Sequence, residues 1–219
     1  MLNKKYNKTL TVLLVIAAIA VFALFGFWGY KIYEKYYKQK QAEQAIEQWD
    51  NQIERKKRTT NPFNLSLNDV YINVPGSDSD IRASMTYKGF TMLGYIEIPK
   101  INLKLPVLAR SSERALKVSV CYHFGAGLNR VGNTVIYGHN YRDGTFFSNL
   151  NQVANDDLVY ITDETGTRIP YKVYNVYQTT PEDADYFYRD TQGKREISLS
   201  TCTDDVSYRT IVWARETEE

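Results

Sequence analysis

The stretch Glu196–Arg215, EISLSTCTDDVSYRTIVWAR, reads as strand, loop, strand. Ile197 and Leu199 open a β-branched and aliphatic run that ends at Thr201-Cys202-Thr203. Asp204-Asp205 make an acidic turn. Tyr208, Thr210, Ile211, Val212 and Trp213 then form a second run that carries Arg209 near its start. Antiparallel pairing of the two runs brings a thiol close to a guanidinium. A positive neighbour stabilises thiolate over thiol, and the thiolate is the nucleophile. Cys202 and Arg209 are therefore candidates for covalent chemistry.

The 219-residue chain is 24% charged and 43% hydrophobic, ordinary for a globular protein, but its charge is unevenly spread. Residues 1–64 hold 11 Lys and Arg against 5 Asp and Glu, whereas residues 65–219 hold 16 against 20. A mildly acidic folded part argues against nucleic acid as its partner. Two cysteines, Cys121 and Cys202, fall far short of a disulfide framework. With only two histidines, His123 and His139, Cys–His chemistry has four candidate pairings.

Leu10–Tyr30 runs for 21 residues without a charge. At about 1.5 Å per residue this matches a hydrocarbon core of about 30 Å, and Trp28 and Tyr30 sit where amphipathic rings favour the interface. The run is longer than the apolar part of a signal peptide and ends in a poor processing site, so an uncleaved anchor over 10–30 is expected, after a short segment 1–9. Lysines flank both ends, so positive-inside counting alone does not orient it. Lys31–Arg58 lacks Gly and Pro and is rich in helix formers; residues 31–64 read as a helical stalk. Ile46, Trp49 and Ile53 form a narrow apolar stripe on it, which either docks on the globular domain or a partner, or belongs to a largely solvated helix. Thr59-Thr60-Asn61-Pro62 ends the helix.

Asn64–Thr86 is a mixed segment with a loop at Pro75-Gly76-Ser77-Asp78. From Tyr87 the pattern turns to β: 94–99, 101–108, 119–124, 133–137, 158–162, 167–178, 196–200 and 208–214 read as short strands. Asp163-Glu164-Thr165-Gly166 reads as a hairpin turn, and Ser112–Lys117 and Thr145–Asn151 read as helical turns. Seven or eight short strands over 65–219 predict a mostly β barrel or sandwich.

His139 lies in Tyr137-Gly138-His139-Asn140, where a buried-type strand runs out into a loop and an imidazole can emerge near the surface. By itself it also fits an exposed loop histidine. Cys121 and His123 stand at i, i+2, so on a strand they share a face. No further metal ligands lie at useful spacing, so Cys121 is expected as a small buried hydrophobe and His123 as a structural or surface residue. Asp204 and Asp205 either orient His139 or are simply solvated.

Together these segments resemble the sortases, membrane-anchored cysteine transpeptidases of Gram-positive bacteria. Ser198-Leu199-Ser200-Thr201-Cys202 is similar to the family's Thr-Leu-x-Thr-Cys motif, with Ser for the first Thr. Arg209 follows the cysteine by seven residues, as the family arginine does. Gly138-His139-Asn140 resembles the histidine segment, Thr145–Leu150 the short helix after it, and Leu93–Pro106 the opening barrel strands. The resemblance covers about 88–215. It implies a closed β-barrel with Cys202 as nucleophile, His139 as acid and base and Arg209 as oxyanion stabiliser, with Asn140 and Thr201 in reach of substrate. It also implies a cytoplasmic N-terminus and an extracellular catalytic domain.

The implied reaction cuts an LPxTG-like sorting signal of a surface protein and passes the acyl group to a cell-wall precursor or pilin amine. Thioester chemistry needs no metal or organic cofactor. Alternatives are a cysteine peptidase that only hydrolyses, or a tethered barrel that binds without turnover. Class B members carry a helix-bearing insertion before the cysteine strand, whereas Gln178–Arg195 reads as a loop. A compact class A- or D-like barrel is therefore favoured, with Tyr186, Phe187 and Tyr188 of that loop shaping the groove. No Asp-Pro-Phe/Trp lid motif stands upstream.

Overall fold

A computed structural model describes residues 4–60 and 85–218. The expected loop at Pro75–Asp78 and the expected stalk–barrel boundary at 64/65 lie outside the described residues. Helix α1 (Lys4–Thr60) contributes to two compact units, Met1–Gln41 and Ala42–Glu219. In the first unit Leu10, Val15, Phe22 and Trp28 are all more than half exposed. Such a surface suits lipid rather than water. Among the described residues this is the one helix long and apolar enough to cross a bilayer.

Among the described residues the second unit holds a sheet of nine strands: β1 (Met85–Tyr87), β2 (Phe90–Ile98), β3 (Leu103–Leu108), β4 (Val120–Gly125), β5 (Gly132–Tyr137), β6 (Leu158–Thr162), β7 (Arg168–Thr179), β8 (Arg195–Cys202) and β9 (Arg209–Glu216). The neighbour order is β1-β2-β3-β4-β5-β8-β9-β7-β6. β6 then returns to pair with β2 at Ile96↔Ile161, closing eight strands into a barrel; β1 is a short addition outside the ring. Closure leaves the eight strands no free long edge. The expected barrel of seven to eight strands with short helices is thus observed, and each expected strand has its counterpart. Helix α2 (Glu113–Leu116) begins at Ser112, whose Oγ accepts the Ala115 N–H at 3.1 Å.

Alternate residues of the strands fill the interior. Ile96, Ile98, Val107, Val120, Ile136, Val159, Leu199 and Val212 are buried together, with Phe147 and Leu150 of the β5–β6 connection packed among them. Full burial of such a side chain contributes roughly 1.5–3 kcal/mol.

The C-terminal part of α1 belongs to this core. Ile46, Trp49 and Ile53 are almost fully buried and pack on Met92 and Tyr95. Trp49 Nε1–H donates to the Asp163 carbonyl at 3.3 Å, and the Tyr95 hydroxyl donates to Asp50 Oδ2 at 3.4 Å. Gly166, at φ +74°, closes the β6–β7 turn directly against Ile53; a Cβ there would lie 2.5 Å from Ile53 Cγ2. Docking on the domain is the alternative realised, and this compact unit begins at Ala42.

A chain shortened to residues 42–219 should therefore fold, whereas removal of residues 1–64 should uncover Met92 and Tyr95 and destabilise the barrel. Trp49→Ala should cost about 3–5 kcal/mol in urea unfolding. A loss below about 0.5 kcal/mol would show that the helix is not part of the core.

Candidate active site

β8 alternates strictly at its end. Ile197 and Leu199 face the interior, while Glu196, Ser198, Ser200 and Cys202 face the other way. In the β8–β9 register Cys202 stands opposite Arg209, and Thr201 opposite Thr210. The half-buried Cys202 accepts a hydrogen bond at Sγ from Arg209 Nη1. The charged partner predicted for the thiol is therefore its cross-strand neighbour.

β5 runs parallel to β8 and pairs Tyr137 with Ser200. His139 lies two residues beyond Tyr137, as Cys202 lies two beyond Ser200, so both leave the same end of the barrel. Three hydrogen bonds stitch the segments: Gly138 N–H to Ser200 O at 3.1 Å, Thr201 Oγ1–H to Gly138 O at 2.8 Å, and Asn140 Nδ2–H to Cys202 O at 3.0 Å. Glycine is needed at 138 because a Cβ would meet the Phe147 ring at 2.6 Å and Val120 at 2.9 Å. His139, Cys202 and Arg209 are thus gathered at one barrel end from β5, β8 and β9.

The His139 ring is partly buried, and its pKa lies below the ordinary imidazole value. Burial is the largest cause; the Lys117 cation on α2 adds to it, Glu113 opposes it, and Arg209 contributes a smaller push downward. The neutral ring, able to accept a proton, is favoured. Neither loop acid hydrogen-bonds this ring. Asp204 Oδ1 instead accepts from Asn140 Nδ2 at 2.8 Å, and Asp205 Oδ1 from Thr203 Oγ1 at 2.6 Å.

Asn140 and Thr201, expected within reach of substrate, spend their donors inside the protein: both Asn140 amide bonds and the Thr201 hydroxyl bond hold the His139 loop to the Cys202 strand. Both residues also line a cavity of about 380 Å³ beside Cys202.

The second cysteine is different. Cys121 is fully buried and its thiol pKa is pushed up to about 12 by that burial. It shares a face of β4 with His123, as the two-residue spacing predicts: Cys121 stands opposite Tyr137, the ring on which His123 stacks, and Tyr122 between them packs on the interior. His123 is exposed, stacks on Tyr137 with ring centres 4.0 Å apart, and shares a 2.6 Å hydrogen bond with Ser111.

The β7–β8 connection is a loop with one short helical turn, Asp185–Phe187. Tyr186, expected at the groove, is 2% exposed and packs with Val135 and Ile211, while Tyr188 is 73% exposed. The loop is anchored by Arg189, which hydrogen-bonds Glu196, Tyr174, Asn133 and Ser198 and lies over the Trp213 ring. Arg215 holds the other oxygen of Glu196 at 2.6 Å. Sequence reasoning missed this buried network. Its signal was the polar alternation Glu196, Ser198, Ser200, read only for its apolar partners.

Two measurements follow from the site's chemistry. NMR titration of the His139 ring should move to higher pH in Lys117→Met, which removes a cation and frees Glu113, and to lower pH in Glu113→Gln. Unmoved titrations would remove α2 from the site's electrostatics. Iodoacetamide at neutral pH should label Cys202 and spare Cys121 in the folded protein, as read by peptide mass mapping; equal labelling would contradict the burial.

Comparison with known proteins gives the family and the fold. Residues 96–217 match the family model described as the sortase domain. Sortase A of Bacillus anthracis is 31% identical over 112 residues, which cover 51% of this chain and 52% of that protein, so the match spans about half the length of that relative. Among solved structures, Streptococcus agalactiae sortase C1 superposes with TM-score 0.54 at 28% identity, covering 58% of this chain and 70% of that one. Sortase C of Streptococcus pneumoniae covers 80% of this chain and 97% of its own at TM-score 0.58; at 22% identity it speaks for the fold alone. With the domain match covering more than half the chain, the protein belongs to the sortase family.

Proposed function

We propose that the protein is a membrane-anchored cysteine transpeptidase in which Cys202 is the nucleophile, His139 the acid and base, and Arg209 the oxyanion donor. The observation that carries this reading is the cross-strand pair of Cys202 and Arg209, with His139 leaving the same barrel end. Arg209 favours the thiolate. His139, held toward its neutral form, takes the thiol proton. The sulfur attacks a peptide carbonyl, and the guanidinium faces the oxygen that becomes negative. The imidazolium returns its proton to the departing amine, leaving a thioacyl-enzyme. A second amine attacks the thioester, its proton passes to His139, and the thiolate departs toward Arg209.

The substrate class we assign is a surface protein bearing an LPxTG-like sorting signal, and the acceptor a cell-wall precursor or pilin amine. Residues 10–30 are assigned to a single membrane span, with residues 1–9 cytoplasmic and the barrel outside the cell. The barrel end that carries Cys202 would then meet secreted proteins. The compact barrel supports a class A- or D-like member: Gln178–Arg195 carries one three-residue helical turn and no inserted helix.

Incubation with a panel of sorting-signal peptides, followed by mass spectrometry, should find an acyl adduct on Cys202. Cys202→Ala should abolish it, and Arg209→Ala should slow its formation by about 10²–10³-fold, the cost of losing an oxyanion donor. An adduct on Cys121, or none with any peptide, would overturn the assignment. Amide product on addition of a free amine separates transfer from hydrolysis.

A further inference from the structure

His139 is placed without the hydrogen-bonded partner that orients the base in a nucleophile–base–carboxylate arrangement. Among the described residues neither nitrogen of its ring has a hydrogen-bond partner. The two acids of the β8–β9 loop are engaged elsewhere, Asp204 with Asn140 and Asp205 with Thr203. The imidazole lies instead against the Tyr141 ring, with centres 5.1 Å apart and planes at 45°. Tyr141 packs in turn on Phe146, at 5.6 Å and 54°. Three rings thus stand in series, with the imidazole at one end.

The loop that carries Tyr141 is held in one shape. Asn140 and Phe146 form an antiparallel bridge, and Phe147 N–H donates to the His139 carbonyl at 3.1 Å. Tyr141 N–H donates to Ser148 Oγ at 3.1 Å, and Arg142 N–H to Asn140 Oδ1 at 2.9 Å. Asp143 Oδ1 accepts from the Thr145 N–H at 2.9 Å and from its hydroxyl at 2.6 Å. Arg142 at φ +58° and Phe146 at φ +47° are kept in left-handed backbone, which residues with a Cβ disfavour. Such conformations persist where surrounding bonds over-determine them. None of these bonds uses the Tyr141 side chain. Its ring is 44% exposed and adds little to the core, so what it does is done at its two ring neighbours.

Resting on the reading of His139 as acid and base, we propose that Tyr141 is its positioning residue: the phenol ring sets the imidazole plane, the role a hydrogen-bonded carboxylate fills in a Ser-His-Asp triad. A ring contact occupies neither nitrogen, so both stay open to proton exchange. The contact also acts on charge. When the imidazole takes the Cys202 thiol proton it becomes a cation, and a cation within about 6 Å of an aromatic centre is stabilised by the π face. The charged groups that reach the imidazole are Lys117 and Glu113 on α2 and Arg209 on β9. Burial, Lys117 and Arg209 favour the neutral ring, and Glu113 favours the cation. Tyr141 joins Glu113 on the side of the cation. A base that is neutral before attack and protonated after it needs both influences.

The test uses the full chain in detergent, isotope-labelled at its two histidines and titrated by NMR. Tyr141→Leu should lower the His139 midpoint by about half a pH unit, the loss of one exposed cation–π contact. Tyr141→Phe, which keeps the ring, should leave it in place. His123, stacked on Tyr137, is the internal control. In acyl transfer from a sorting-signal peptide, Tyr141→Leu should lower kcat about fivefold with KM for the peptide unchanged, and Tyr141→Phe should restore it. A merely structural role would not move one histidine and spare the other. The loop's backbone bonds survive either substitution, so both variants should fold. An unmoved midpoint and kcat in Tyr141→Leu would overturn the inference. So would a loss in Tyr141→Phe as large as in Tyr141→Leu, which would assign the effect to the hydroxyl. A raised KM with kcat intact would make Tyr141 a substrate contact and overturn it as well. Failure of the underlying function looks different: the unmodified protein would form no Cys202 adduct, while the His139 titration, read without turnover, would still report on the ring contact.

Discussion

The site depends on strand register. β8 is held between β5 on one side and β9 on the other, and both pairings run to its last residues. Side chains alternate across a sheet with a period of two, so a slip of one residue would turn Cys202 toward the interior and Thr201 outward. It would also replace Arg209 with Thr210 as the neighbour of the sulfur. Register is pinned by the interior set Ile197, Leu199, Val212 and Ala214, which cannot be exposed without losing core burial. The apolar packing that folds the barrel therefore also aims the thiol.

That constraint has a second layer in the loops. Gly138, Thr201 and Asn140 tie the His139 segment to the Cys202 strand by backbone and side-chain hydrogen bonds. On the outer face Arg189 and Arg215 share the buried carboxylate of Glu196. A buried ion pair earns little net stability against desolvation. Here its geometric effect is plain: it fastens the β7–β8 loop, with Tyr186 beneath it, alongside the strand that ends in Cys202. The docked end of α1 does similar work at the β6–β7 turn, where Trp49 and Ile53 cover Met92, Tyr95 and Gly166.

Electrostatically, the three groups at the barrel end are not equivalent. Arg209 reaches the sulfur directly, while His139 is tuned by its own burial and by charges on α2. An imidazole held toward its neutral form, at the barrel end where a guanidinium donates to the Cys202 sulfur, suits proton transfer to and from a reacting group. The lone buried thiol, Cys121, shows the converse: without a cation and away from water, it remains a thiol.

Much of this was legible in the chain. Two-residue alternation marked the eight strands, an uncharged run of 21 residues marked the anchor-length helix, and the spacing of Cys202 and Arg209 across a tight turn was enough to make them neighbours. These are local properties, carried by residues close in sequence. Ring closure through β2 and β6 and the convergence of His139 on Cys202 across more than sixty residues came only with tertiary structure. So did the burial of Tyr186 and the choice of the Trp49 stripe to dock on the barrel. Each of these depends on which distant surfaces meet. Pattern and propensity report that a face is apolar or that a group is ionisable, but what lies against it is decided by the packing of the whole barrel.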